Sequence, residues 1–194
     1  MRLARLTCWV AVVAACGGAE AKPPAAGVVD SVVPRDSAIA RFQRVTPRVD
    51  SLAGGAETRE ALVRRFVTAL EGRDSVTLRS LLLTRSEFGW LYYPSNPEGL
   101  PPYRLTPQLM WFMLEGNSAR GFDRLLRKRS GKPLRYAGHR CDMEASRHGA
   151  NVVWGPCVVI RRLESGATLA ERLFGQIVER GGRYKFVSYS NKLD

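Results

Sequence analysis

The sequence predicts an α+β fold, with N-terminal helices packed on a C-terminal four-stranded antiparallel meander. Three observations lead there. Apolar residues recur at helical spacing through residues 57–129 and give way to Val- and Ile-rich extended runs from Leu134 onward. Turn signals divide that last third: Arg147-His148-Gly149-Ala150, Glu164-Ser165-Gly166 and Gly181-Gly182. Cys141 and Cys157 lie symmetrically about Gly149, so they fall opposite each other in a hairpin turning there. Helices followed by hairpin-linked strands make an α+β domain rather than an alternating one. A length of 194 residues fits one such domain.

The chain opens with Arg2 and Arg5, then an apolar stretch Leu6–Ala15 broken only by Thr7. This is the layout of a secretory leader, and it is too short to span a bilayer, which takes about 20 residues. Val13-Ala14-Ala15-Cys16 closes it and resembles the lipobox of bacterial lipoprotein precursors. The resemblance implies a signal peptide over residues 1–15, cleavage before Cys16 and acylation of Cys16. It implies a cell-envelope protein, lipid-anchored and periplasm-facing. Gly17 lacks the aspartate that retains many lipoproteins at the inner membrane, which favours the outer one. Cys8 leaves with the leader. Cys141 and Cys157 then remain in an oxidising compartment. There they read as a cross-strand disulfide; the alternative is a pair of free buried thiols. Two cysteines alone make a poor metal site, and no metal or cofactor motif is present.

The formal charge is +12, falling to +10 once Arg2 and Arg5 are removed. An exported basic protein meets acidic envelope lipid or glycan, and nucleic acid is not an expected partner. The basic run Arg124, Arg127, Lys128, Arg129, Lys132, Arg135 is one surface for such contact, or simply a solvated helix end.

Residues 16–56 read as a lipidated cysteine and flexible tether, and residues 57–194 as the single domain. The Gly-, Ala- and Pro-rich stretch 17–34 has a root-mean-square reach of roughly 20–25 Å if flexible. Ile39, Phe42 and Val45 hint at a short helix capped by Asp36 or Ser37, which either docks on the domain or belongs to the tether. Leu62, Val63, Phe66, Val67 and Leu70 define a helix ended by Gly72. Asp74 caps a second helix with Val76, Leu78, Leu81 and Leu82. Prolines exclude a long regular element after Tyr93. Thr106-Pro107 starts a helix to about Glu115, apolar nearly all round and so expected to be buried on most sides. After Gly116-Asn117 a further helix runs to about Arg129. Four strands follow, over 134–145, 151–163, 168–179 and 183–192.

This element order resembles the nuclear transport factor 2-like, or cone, fold, in which helices pack on a bent sheet around an apolar cavity. The resemblance implies either a non-catalytic ligand- or partner-binding module or an enzyme of hydrolase, isomerase or dehydratase type acting on a small hydrophobic substrate. A structural or assembly lipoprotein is a third reading. Trp90, Tyr92, Tyr93, Tyr103, Trp111 and Phe112 are candidate pocket walls. His139 and Asp123 are the candidate proton-transfer groups. A carboxylate for His139 would come from Asp142 or Glu144, although strand alternation turns Asp142 to the other face. Asp123 also pairs by spacing with Arg127.

Overall fold

The structure, a computed structural model, describes residues 33–141, 144–190 and 192. The leader, Cys8, Cys16, most of the tether and Asp142 lie outside these residues. One compact unit runs from Val33 to Asp194. It is α+β, with five α-helices preceding seven strands in two antiparallel sheets.

Helix α1, Arg35–Arg44, is part of that unit, so the domain begins near residue 33 rather than 57. It buries Ala38 and Phe42. The Phe42 ring meets Phe88 edge-on at 5.6 Å, and Gln43 Nε2 donates to the Gly89 carbonyl at 3.0 Å. A Cβ on Gly89 would stand 2.6 Å from the Phe42 ring, so glycine permits the approach. Pro34, not Asp36 or Ser37, occupies the N-cap, without a side-chain bond.

Helix α2, Arg59–Glu71, starts where Thr58 accepts from the Ala61 amide, and its buried stripe is Leu62, Val63, Phe66, Val67, Ala69 and Leu70. Asp74 caps α3, Ser75–Ser80, through the Thr77 amide. That helix is shorter than its apolar pattern suggests. Val76 is exposed, and Leu82 leaves the helix to bridge Phe186. Helix α4, Arg85–Glu87, carries a full capping box between Thr84 and Glu87 and runs into a π-turn, Phe88–Tyr92. Short 3₁₀ turns at Tyr93–Ser95 and Pro97–Gly99 carry the proline-rich stretch.

Helix α5, Pro107–Lys128, passes without a break through Gly116-Asn117, where two helices were expected. Glycine inside a helix costs about 1 kcal/mol relative to alanine, too little to end one anchored at both ends. Thr106 caps its start, and its buried side is Pro107, Met110, Ser118, Gly121, Phe122 and Leu125. Its first turns are not enclosed: Leu109, Phe112 and Met113 are exposed. Gly121 has a separate role. A Cβ there would lie 2.7 Å from the Ser190 carbonyl oxygen and 2.8 Å from that of Tyr189.

The strands are β1 (Tyr136–Cys141), β2 (Ser146–His148), β3 (Asn151–Trp154), β4 (Cys157–Arg162), β5 (Thr168–Glu171), β6 (Ile177–Arg180) and β7 (Arg183–Phe186). They form two sheets, β1-β4-β5 and β2-β3-β6-β7, in place of four continuous strands. Each of the first three expected strands is interrupted: Glu144-Ala145, Gly155-Pro156 and 172–176 lie outside the strands. Pro156 has no amide to donate, which ends a ladder at that point. Arg147 and His148 belong to β2, and the turn is reduced to Gly149-Ala150.

Cys141 pairs with Cys157, and the two form a disulfide with Cα atoms 3.9 Å apart. The next pair toward the turn is Ser146 with Val153. Four residues separate these pairs on one side and three on the other, so the registers of the two ladders differ by one residue, and the Cys141–Cys157 pair keeps the alignment of a regular hairpin about Gly149.

Two apolar clusters cover the two faces of the four-stranded sheet. Ile177 and Phe186 join the cluster of α2, α3 and Phe122, whereas Val178 and Val187 join that of Phe42, Phe88 and Met110. Neighbours along a strand alternate faces, which explains the division. Within the second cluster lies a buried ion pair. Lys185 Nζ donates to Glu87 Oε1 at 3.1 Å and Oε2 at 2.8 Å, and Glu87 also accepts from the amides of Ala53 and Thr84, both at 2.7 Å. Burial holds the Lys185 ammonium below its usual range, against the opposing pull of Glu87.

Removing one member of a buried pair leaves an uncompensated charge, at a cost of about 3–5 kcal/mol. Lys185→Met should lower the denaturant midpoint accordingly, and adding Glu87→Gln should recover part of the loss; strictly additive effects would contradict this coupling. The same denaturation assay separates the two glycines of α5. Gly121→Ala should destabilise by about 1–3 kcal/mol through overpacking. Gly116→Ala, whose Cβ would meet only the end of Arg120 at 3.9 Å, should stabilise by up to about 1 kcal/mol.

Candidate functional site

A cavity of about 340 Å³ lies between α5 and the segment joining α3 to α4. Leu82, Leu83 and Val187 contribute one side, and Trp111, Leu114 and Phe122 the other. The helical repeat places these three α5 residues on one flank, because positions 111, 114, 118 and 122 recur at three- and four-residue spacing. Arg79, Thr84, Arg85, Glu115, Ser118 and Ala119 complete the lining. The wall is therefore largely apolar, with two arginines against one carboxylate.

Both arginines rest on aromatic rings. The Arg79 guanidinium carbon is 4.3 Å from the Phe122 ring centroid, and that of Arg85 is 5.0 Å from Phe42. Among the described residues neither forms an ion pair. A ring face satisfies a cation only in part, so both remain able to bind an anion. The Trp111 indole nitrogen adds a buried N–H with no hydrogen-bond partner. An apolar wall lined also by two arginines and a tryptophan suits a small amphipathic molecule bearing a negative or acceptor group.

A second constellation joins α2 to β1. Glu60, in the first turn of α2, accepts at Oε2 from the Tyr136 hydroxyl at 3.0 Å and meets His139 Nδ1 at 3.1 Å. Tyr136 Oη and His139 Nδ1 are themselves 3.1 Å apart. Arg64 Nε closes on Glu60 Oε1 at 2.6 Å and lies over the Tyr136 ring. Burial acts to raise the Glu60 carboxyl, but the Tyr136 hydroxyl, Arg64 and His139 outweigh it and hold the group below its ordinary 4.5. Burial and the Glu60 carboxylate push the Tyr136 hydroxyl well upward. The carboxylate oriented on His139 thus comes from α2. Glu144 is exposed and takes no part.

The expected site residues are dispersed. Tyr92 and Tyr93 are core residues, the latter donating its hydroxyl to the Leu105 carbonyl at 2.6 Å. Trp90 is half-buried beneath Arg48. Tyr103 and Phe112 face solvent, at 70% and 74% exposure. Only Trp111 of the six lines the cavity. Asp123 is exposed on α5, away from His139 and the cavity, and has no ionic partner among the described residues, so the expected pair with Arg127 is absent. Part of the basic run is neutralised internally. Arg129 and Arg161 clamp the buried Glu171, and Arg135 meets Glu164 at 3.2 Å.

Sequence reasoning missed Glu60, Arg79 and Arg85. Glu60 carried a faint signal, an acid four residues before Arg64. The two arginines carried none, because only the packing of α3 and α4 against α5 brings them together. No group of three His, Cys, Asp or Glu side chains among the described residues is placed to hold a metal.

The depressed Glu60 carboxyl has a definite pH sign. Its stabilising contribution is present above the unfolded value and is lost as pH falls through the lower folded value. The wild type should therefore exceed Glu60→Gln in urea midpoint at neutral pH and lose that advantage progressively as the pH is lowered below the ordinary carboxyl value of 4.5. An advantage unchanged between the two conditions would show that the carboxylate charge is not what binds α2 to β1.

Comparison with known proteins returns no matching family model, no matching curated protein and no matching solved structure.

Proposed function

We propose that this chain is a lipid-anchored cell-envelope protein whose α+β domain is a non-catalytic binding module for a small amphipathic anion. The observation that carries the reading is the α5 cavity, where an apolar wall is joined by exposed Arg79 and Arg85, which form no ion pair among the described residues, and by Trp111, whose buried N–H has no hydrogen-bond partner among them. The anchor part rests on Val13-Ala14-Ala15-Cys16 and the basic, apolar leader before it. The cone-like part rests on connectivity. The extended segments pair in chain order, and their interruptions fall at corresponding places, which suits a sharply bent sheet.

An anilinonaphthalene sulfonate tests the cavity, since it joins an apolar ring system to one anion and reports binding by fluorescence. Losing a hydrogen bond to a charged group costs about 1.5–3 kcal/mol, so Arg79→Gln with Arg85→Gln should weaken binding by about tenfold or more. Leu114→Trp should block it by filling the space. Equal affinity in wild type and both variants would place the dye elsewhere and remove the support. For the anchor, labelled palmitate should enter the wild type and not Cys16→Ser; equal labelling of the two defeats that part.

The Glu60–His139 contact favours a second reading, an enzyme of the same fold in which His139 transfers a proton and Glu60 orients it. Under that reading a hydrolase or isomerase activity would fall sharply in His139→Ala, while anion binding at the cavity would not change.

A further inference from the structure

Nine large apolar side chains are exposed among the described residues, and five of them fall within residues 100–113: Leu100, Tyr103, Leu109, Phe112 and Met113. The last three recur at helical spacing on the side of α5 opposite its buried stripe. Their exposures of 47%, 74% and 48% describe one solvent-facing apolar surface rather than scattered residues. Exposed Arg104 precedes it, and exposed Arg120 and Arg127 with half-buried Arg124 follow along the same helix, against the exposed acids Glu98, Glu115 and Asp123. Among the described residues, the Arg120 guanidinium donates to the neutral Asn117 side chain at 2.6 Å and forms no ion pair. An apolar patch bordered by arginines matches the interfacial region of a bilayer, where acyl chains lie beneath phosphates. It does not match a second copy of itself. Joining two such patches draws both sets of arginines together, and like charges at an interface oppose association.

We propose that the Leu100–Tyr103 loop and the Leu109, Phe112 and Met113 face of α5 insert into the surface of an anionic lipid bilayer. Arg104, Arg120 and Arg124 meet the lipid phosphates, and α5 lies along the membrane plane. This docking needs neither the Cys16 acyl group nor an occupied cavity, and it goes beyond tethering by fixing which side of the domain faces the lipid.

Two methionines of α5 allow a direct test. Met113 belongs to the exposed face and Met110 to the buried stripe, so one reports on lipid and the other serves as its control. The full chain carrying Cys16→Ser, labelled at methionine methyls, is mixed with bicelles of about 30% anionic lipid doped with a paramagnetic lipid. Relaxation enhancement should be about threefold or more greater at Met113 than at Met110. It should fall toward the control value with zwitterionic lipid, in high salt, or in Leu109→Gln with Phe112→Gln, both changes on the solvent face whose fold is checked by circular dichroism. Equal enhancement at the two methionines while the chain is lipid-bound through its leader would overturn the proposal. So would equal enhancement on zwitterionic lipid, or a concentration-dependent Met113 shift without lipid, which would assign the face to self-association. Failure of palmitate labelling or of dye binding leaves this result unmoved, so the separate claims fail separately.

Discussion

The buried Glu87–Lys185 pair holds this domain in register. Four hydrogen bonds converge on one carboxylate: two from Lys185 on β7, one from the Thr84 amide at the start of α4 and one from the Ala53 amide. Both charged groups are about 1% exposed. Charges removed from water this completely persist only when each is paired and its remaining sites are bonded. The pair therefore fixes the position of α4 against the sheet. The π-turn that follows delivers Phe88 to the centre of the second cluster, where it touches Phe42, Tyr92, Tyr93 and Trp111. Through Phe42 that contact recruits α1, and through Trp111 it sets the first half of α5.

The sheet obeys a different constraint. The ladders of β1-β4-β5 and β2-β3-β6-β7 are separate, and Pro156, which has no amide to donate, lies at one of the breaks between them. Four residues separate the Cys141–Cys157 and Ser146–Val153 pairs on one side and three on the other, so the two ladders of the first hairpin keep registers that differ by one residue. The disulfide holds the three-stranded half at the point nearest the break. Glu171 adds a second fastening there, since its two arginine partners come from the end of α5 and from β4. Two of the arginines that give this chain its high charge are thus internal counter-ions rather than part of a free basic surface.

The cavity and the exposed face are two consequences of one helix. Because α5 is long and continuous, its buried stripe, its cavity flank and its solvent side turn together along the axis. Gly121 allows the chain near Tyr189 and Ser190 to lie directly against the helix, and this contact keeps α5 close to the sheet. The cavity opens on the flank where α3 and α4 stand away from it.

Several features were legible in the residues alone. Caps at Thr106 and Asp74, the apolar stripe of α2 and the symmetric cysteines are local signals, set by a few neighbouring residues whose physics does not depend on the rest of the chain. They predicted the α+β class, the starts of α3 and α5 and the opposition of Cys141 to Cys157. Aromatic content could not be divided into wall, core and surface in the same way. Tyr93 and Phe112 are both aromatic, yet the more polar tyrosine is buried with its hydroxyl bonded while the phenylalanine faces solvent, a division that only the tertiary packing decides. The partner of His139 was likewise decided by tertiary structure, because Glu60 is distant in sequence and reaches the strand only once α2 lies on β1. The same holds for Arg79 and Arg85, whose shared cavity exists only between packed elements. Short-range chemistry thus determined the elements, and long-range contact decided which side chains meet.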